Sequence, residues 1–410
     1  MGSIMVEWKK YALILAIAAG FILGMIVGFL YGKSAGVLKP LGDFFIRLMR
    51  TLVTPLTIVT ISAAVAQIAD LRKLGKLVIG TFFFFLLLSA IAATWMLFGA
   101  ITFKPGWGVG LKPPAGYTPP TPPTVTDILL NLVPTDFGNI LTVSGLLQAI
   151  VFSILFGLAV SLLGDKGKSI SDALSKLSDV MLKYTSIVMW YAPIGVFGYA
   201  AWVIGTYGTS ILAAYGRLLV VDYAFSLVFF FVGYTIVVWA SGINPLKYWY
   251  AIIEPAIIAF STRSSAVALP VNFRAAARIG VPDYVARLVL PTGATCHMDG
   301  TAMYQVLSTL FIAQVFGLTV APSLYPTVVL VATLAAVATA AVPSGGLLML
   351  AMTVGAAGMP LEGIALITPI DPIMDMLRTM INAEGDVAVS TLMARIMEGA
   401  KWWEKTQQQS

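Results

Sequence analysis

The chain has 410 residues, 59% of them hydrophobic and 11% charged, with a mean hydropathy of +0.90. Those values exclude an ordinary soluble domain and indicate a polytopic, all-α membrane protein. The net charge of +6 is not a nucleic-acid signal, because its basic clusters (Lys9-Lys10, Arg72-Lys73-Lys76, Lys166-Lys168) flank apolar segments and by the positive-inside rule lie in the cytoplasm.

About 20 apolar residues span the hydrocarbon, and spans are predicted at 11–31, 41–68, 78–103, 124–164 with a break near Pro134, 179–204, 209–240, 284–316 and 360–383. The first is long and lacks a small-residue cleavage site, so a cleavable signal peptide is not expected. Two spans separate the first two basic clusters, which is self-consistent and puts the Pro- and Gly-rich connection 104–123 outside. Up to about residue 240 the spans read as conventional apolar helices with charges mostly in their connections. Beyond it, polar and ionisable residues enter the membrane segments themselves.

Segments 245–278 and 320–357 are apolar but interrupted by small-polar tips, Ser261-Thr262-Arg263-Ser264-Ser265 and Pro343-Ser344-Gly345-Gly346. Each arm is too short to cross a bilayer, so both segments read as helical hairpins that enter and return. Irregular backbone at membrane depth survives when buried in protein or lining a cavity. Each hairpin precedes a polar helix, a weak internal symmetry of the kind that marks a binding site between inverted repeats in transporters.

The polar helix after the first hairpin contains Gly293, Cys296, His297, Asp299, Gly300 and Thr301. Glycines at both ends, a histidine and an aspartate predict a broken helix with exposed carbonyls, suited to a small cation. His297, the sole histidine, reads either as a structural hydrogen-bonding residue or as a proton carrier. Cys296, the sole cysteine, excludes an intrachain disulfide and a cysteine-built metal site, and reads as a packing residue.

After the second hairpin, Asp371, Asp375, Arg378, Asn382 and Asp386 follow at spacings of four, three, four and four residues, which puts all five on one helical stripe. A charge at the bilayer centre costs ~3 kcal/mol, so the four ionisable groups together cost on the order of 10 kcal/mol if they face lipid. They must face protein or an aqueous cavity. Asp375 and Arg378 offer an anion and a cation to one space, which suits a zwitterion with an additional carboxylate. Thr379 and Asn382 add neutral hydrogen bonds. Arg263 is either an interfacial anchor or a buried partner for the stripe acids. Ser264, Ser265 and the backbone of Val342–Gly346, Gly345 included, are candidates for a carboxylate at helix ends. Glu384 lies on the far side of the helix, either interfacial or in a separate environment.

HMDGT (297–301), TRSS (262–265), VPSGG (342–346), DMLRTMINAEGD (375–386) and YAPIGVF (191–197) resemble the glutamate transporter homologue family of dicarboxylate/amino acid:cation symporters, with archaeal sodium–aspartate symporters as the expected near relatives. The resemblance implies eight transmembrane helices plus two re-entrant hairpins, a homotrimer in the cell membrane of a prokaryote, and an elevator mechanism. It assigns 1–76 and 104–204 to a static scaffold, and 77–103 with 205–410 to a mobile transport domain. Arg378 matches the arginine that binds the substrate's side-chain carboxylate and Asp375 the aspartate that binds its amino group. Asn382, Thr301 and Ser265 match further substrate contacts, and Val342 to Gly346 match the gate tip.

The cation positions depart from the family. His297 stands where the family has asparagine, Phe85 and Leu88 where it has tyrosine and threonine, and Ala336 where it has serine. Ser89, Asp299, Thr339, Asn382 and Asp386 match. Loss of hard oxygen ligands implies that a sodium site using Asp299 is absent. The expected function is therefore uptake of aspartate or glutamate, without cofactor or enzymatic activity, with sodium coupling weakened or replaced by protons through His297 or Asp299. A fully sodium-coupled symporter is the alternative. An intramembrane protease built on Asp299 and Asp386 is disfavoured by Arg378 in the same space. An ion channel lined by the stripe is a third class.

Overall fold

The computed structural model describes residues 2–66, 71–113, 117, 130, 133–142, 145–339, 343–400 and 402–403, and among them every regular element is a helix. The first helices are α1 (Gly2–Tyr31), α2 (Lys39–Ala66), α3 (Leu71–Phe103), α4 (Leu146–Leu162), α5 (Lys168–Met189), α6 (Ala192–Tyr207) and α7 (Thr209–Val228). A π-helical turn, Phe229–Gly233, joins α7 to α8 (Tyr234–Ala240). Then come α9 (Pro245–Thr262), α10 (Ser265–Ile279), α11 (Asp283–Cys296), α12 (Asp299–Val315), α13 (Tyr325–Val337), α14 (Gly345–Ala356) and α15 (Asp371–Glu398).

By length and composition, three described stretches qualify as membrane-crossing: Leu15–Ala63, Gly75–Phe103 and Ser210–Ala240. The first covers both α1 and α2. Helix α1 packs on α6 through Gly20, Gly24 and Gly28, at each of which a Cβ would run into the α6 backbone at Pro193, Phe197 and Ala201. Small residues at such a stripe let two backbones approach where apolar side chains gain nothing over lipid. The opposite face of α1 exposes Leu23, Ile26, Phe29 and Leu30.

Two expected spans are corrected. The span 179–204 is two helices, α5 and α6, bent by 48°, because Pro193 in the first turn of α6 has no N–H to continue the ladder from α5. The span 360–383 is instead a short helix, Ile364–Ile367, a break at Thr368–Ile370, and α15 running on to Glu398. Pro369 lies in that break and Pro372 in the first turn of α15, and proline has no N–H to carry the ladder from one helix to the next. The span 284–316 divides between Cys296 and Asp299, where His297 takes an extended backbone, as the glycine and polar content predicted. Residues 124–129 of the fourth expected span lie outside the described residues.

Both interrupted segments form helical hairpins. Arms α9 and α10 meet at Arg263, whose left-handed φ of 53° ends α9. Arms α13 and α14 join through a tip in which Ser344, also left-handed, precedes α14. Helix α15 lies against α9, α10, α11 and α12. All seventeen residues of α12 are buried, so α12 and α15 are the axis on which the polar residues converge.

Candidate functional site

The polar stripe of α15 faces protein along its length, and it serves two separate clusters. The first is built on the opening turns. Arg378 donates from Nη2 and Nε to Asp375 Oδ1 (2.6 and 3.1 Å) and from Nη1 to Asp371 Oδ1 (3.0 Å). Thr379 Oγ1 adds a fourth bond into the group, also to Asp375 Oδ1 (3.1 Å). Helical spacing of three, four and seven residues makes these contacts possible. The guanidinium lies 4.1 Å from the ring centroid of Tyr304 on α12, a cation–π placement that fixes its plane.

The two hairpin tips close over this cluster. Ser344 N donates to Asp375 Oδ2 (2.7 Å), tying the second tip to α15. Arg263 Nη1 from the first tip is 3.8 Å from the same oxygen. Arg263 is 1% exposed and none of its guanidinium nitrogens has a hydrogen-bond partner among the described residues, so it is a buried partner of Asp375 and not an interfacial anchor. Gly346 lies where a Cβ would come within 2.9 Å of Arg378 Nη1, which explains a glycine there. Its carbonyl accepts from Gln305 Nε2 (2.8 Å), and Gln305 is steadied by Thr353.

Asn382 and Thr301 bond reciprocally: Thr301 N donates to Asn382 Oδ1 (3.3 Å), and Asn382 Nδ2 donates to Thr301 Oγ1 (3.0 Å). The pocket between these groups is lined by Arg263, Ser265, Thr301, Thr339, Gly346, Asp375, Arg378, Thr379 and Asn382, with a free volume of about 10 Å³, room for about one water. Ser264 and Ser265 head α10, and Gly345 and Gly346 head α14. Two helix N-termini thus point their partial positive charge at the pocket. Thr339 lines it, but its hydroxyl is spent on Ala335 O (2.8 Å). Val342 lies outside the described residues.

The second cluster surrounds His297. Its Nδ1 is hydrogen-bonded to Asp386 Oδ1 (3.0 Å), and its Nε2 lies 3.1 Å from Asp299 Oδ1. Ser89 donates to Asp299 Oδ1 (2.7 Å) and Tyr234 to Asp299 Oδ2 (3.0 Å). Phe85 stacks on the imidazole at 4.4 Å with the planes 12° apart. Two glycines make room: a Cβ at Gly293 would enter the Asp386 carboxylate, and one at Gly385 would meet Tyr234 Oη and His297 Cε1. A hard cation needs six or more oxygens around an open centre. Here the imidazole fills the space between the two carboxylates and an aromatic ring covers it. The residues present do not fit a sodium ion between Asp299 and Asp386.

Four residues had no place in the sequence reading: Tyr234, Tyr304 and Gln305 in these clusters, and Asp222. Asp222 is 4% exposed on α7. An acid inside the apolar run 209–240 was the available signal. Glu384 is fully buried, not interfacial; both its oxygens lack hydrogen-bond partners among the described residues. Cys296 is buried, in keeping with a packing role.

Residues 13–396 match the model of the sodium:dicarboxylate symporter family. The chain is 34% identical over 399 residues to the proton/sodium-glutamate symport protein of Geobacillus stearothermophilus, covering 94% of this chain and 95% of that one. It is 33% identical over 398 residues to the protein of the same description from Bacillus subtilis (94% and 93% covered). It is also 33% identical over 393 residues to the C4-dicarboxylate transport protein of Anaeromyxobacter sp. strain K (94% and 89% covered). These relatives are bacterial, which corrects the expectation of archaeal ones.

Proposed function

The chain belongs to the sodium:dicarboxylate symporter family, a family of multi-pass membrane transporters and not of enzymes, and from that premise we propose that it takes up an acidic amino acid, L-aspartate or L-glutamate. The observation behind this reading is the buried Asp375–Arg378 pair facing the guanidinium of Arg263, which has no hydrogen-bond partner among the described residues. A plain dicarboxylate uses the arginine and the helix ends but has nothing for Asp375. An amino acid uses all of them: its ammonium goes to Asp375, its side-chain carboxylate to Arg378 through paired hydrogen bonds, and its α-carboxylate to the tips at Ser264–Ser265 and Ser344–Gly346.

Asp375 then has two roles. With the site closed on itself, it accepts from Ser344 N and holds the second tip down. Substrate entry exchanges that bond and those to Arg378 for bonds to the ligand, so tip opening and binding are one process. Hairpins that return within the membrane, a scaffold of α1, α2 and α4–α6, a moving unit of α3 and α7–α15, and a homotrimer complete the elevator reading.

Coupling by protons in place of sodium follows from the second cluster, where His297 supplies the group that neutralises Asp299 and Asp386. The test is radiolabelled L-aspartate and L-glutamate uptake in proteoliposomes under an imposed sodium or proton gradient. Uptake driven by the proton gradient is expected. Sodium-driven uptake that ignores a proton gradient overturns the coupling, and succinate uptake that neither amino acid competes overturns the substrate.

A further inference from the structure

The positive-inside rule concentrates cations on the cytoplasmic side, so a group of them at the outer ends of the helices calls for a reason. Helix α1 starts beside Lys9-Lys10 and therefore brings the chain to the outer side at Tyr31. A 3₁₀ turn, Gly32–Leu38, leads into α2, where Lys39, Asp43, Ile46 and Arg47 follow at helical spacing on one face. Lys112 comes from the outer connection 104–123. All five line one cavity of about 410 Å³, within the range of small-molecule pockets. Its walls come from both parts of the chain. Tyr199, Trp202 and Tyr207 of α6 stand beside α2 on one side, and Phe316 with residues 361–362 and 364–366 on the other.

Three cations face two acids here, Asp43 and Glu362, which leaves one positive charge in excess. Lys39 is already engaged. Its Nζ donates to both oxygens of Asp43 (2.7 and 2.8 Å) and lies 5.1 Å from the ring centroid of Trp202, while Tyr199 Oη donates to Asp43 Oδ1 (2.9 Å). Elsewhere on the outer side Arg217 donates to the carbonyls of Pro105 and Trp107, and Lys104 lies over the Trp107 ring. Arg47 and Lys112 are different: both are exposed, and their side chains make no hydrogen bond or ion pair among the described residues. The remaining lining is aromatic and aliphatic. A bare inorganic anion would use the two cations and leave that wall untouched. An anion carried on an apolar body uses both. Tryptophan and tyrosine together with lysine and arginine at the ends of membrane helices are the residues of the headgroup level. Arg47 offers a planar fork to two phosphate oxygens, and Lys112 a point charge.

We propose that this cavity binds the headgroup of an anionic phospholipid from the outer leaflet, with Arg47 and Lys112 on its phosphate and the apolar wall against its glycerol and first acyl carbons. Because the walls belong to the scaffold and to the moving unit of the elevator reading, a lipid seated there ties the two together and favours this arrangement over any other. That consequence rests on the elevator reading. The binding does not.

The test titrates the full-length purified chain in detergent with dioctanoyl phosphatidylglycerol and counts bound lipid by native mass spectrometry. Saturable binding is expected, about tenfold tighter than that of dioctanoyl phosphatidylcholine. R47Q and K112Q are each expected to weaken it about fivefold, and the double variant roughly 25-fold; both side chains are exposed, so the fold does not depend on them. K33Q, which removes an exposed cation on the same side but outside the cavity, is expected to change nothing. No saturable binding, equal affinity for the two lipids, wild-type affinity in the double variant, or an equal loss in K33Q overturns the proposal. Displacement of the lipid by an equal concentration of inorganic phosphate or glycerol 1-phosphate assigns the cavity to a soluble anion and overturns it too. In proteoliposomes, adding phosphatidylglycerol to phosphatidylcholine is expected to slow wild-type uptake of L-aspartate and L-glutamate, and to leave the double variant unchanged. Lipid binding without that difference upholds the site and overturns the tie between the two units. If wild type takes up neither amino acid, the substrate reading falls, and the lipid count still decides the site.

Discussion

The two halves of the polar stripe on α15 share a helix, a face and complete burial, yet they are built in opposite ways. In the half at Asp371–Thr379, ion pairs run within α15 itself, and the groups that close over them come from hairpin tips held by single contacts such as Ser344 N to Asp375. In the half around Asp386, partners come from α3, α8, α12 and the break between α11 and α12, and they are locked. Asp299 has both oxygens engaged, and His297 is clamped between two carboxylates under Phe85. A site meant to exchange a ligand keeps its charges on one element and covers them with something that lifts. A site satisfied by the chain itself spreads its partners over the core.

That contrast is open to direct attack. The largest effect is expected for R378A, which strands Asp371 and Asp375 as unpaired buried charges. Breaking such a pair costs about 3–5 kcal/mol, on the order of a thousandfold in L-aspartate affinity by calorimetry. D375N keeps the shape but loses the partner for an ammonium group. A charged hydrogen bond is worth about 1.5–3 kcal/mol, so aspartate should bind roughly 10- to 100-fold more weakly, with succinate far less affected. Equal losses for the two ligands would count against the amino-acid reading.

The third test moves to the locked half. H297N removes the ring between Asp299 and Asp386 and supplies an amide oxygen in its place. Sodium is expected to leave wild-type affinity unchanged but to tighten aspartate binding to H297N by roughly tenfold, read by titrations with and without sodium. Sodium dependence of wild type that H297N does not alter would erase the distinction between the halves. The smallest effect belongs to T379V, which deletes one neutral donor to Asp375. About 1 kcal/mol, near fivefold in affinity, is expected.

Much of this was legible before any coordinates. Charges at helical spacing inside an apolar segment have a single acceptable destination, and the tips announced themselves as small polar interruptions of arms too short to span. What sequence misjudged was local. A bend enters at Trp190–Tyr191, and α15 begins at Asp371 and outlasts its expected end. Hydropathy measures how apolar a window is and not where its backbone turns. Asp222 was passed over because one acid among apolar residues hardly changes such a window, although its cost in a membrane is as large as that of any stripe member.

The chain by itself determined that this is a helical membrane protein whose late segments bury a cation-and-anion pair, because burying charge in lipid is too expensive to occur without a partner or a purpose. Tertiary structure alone decided who the partners are. His297 and Asp386 are 89 positions apart, and Tyr304 comes to Arg378 from another helix. Such contacts depend on helix packing over long separations, where small glycines, a π-turn and breaks at prolines set the register. Periodicity along one helix states which face is polar. It does not state what stands across from it.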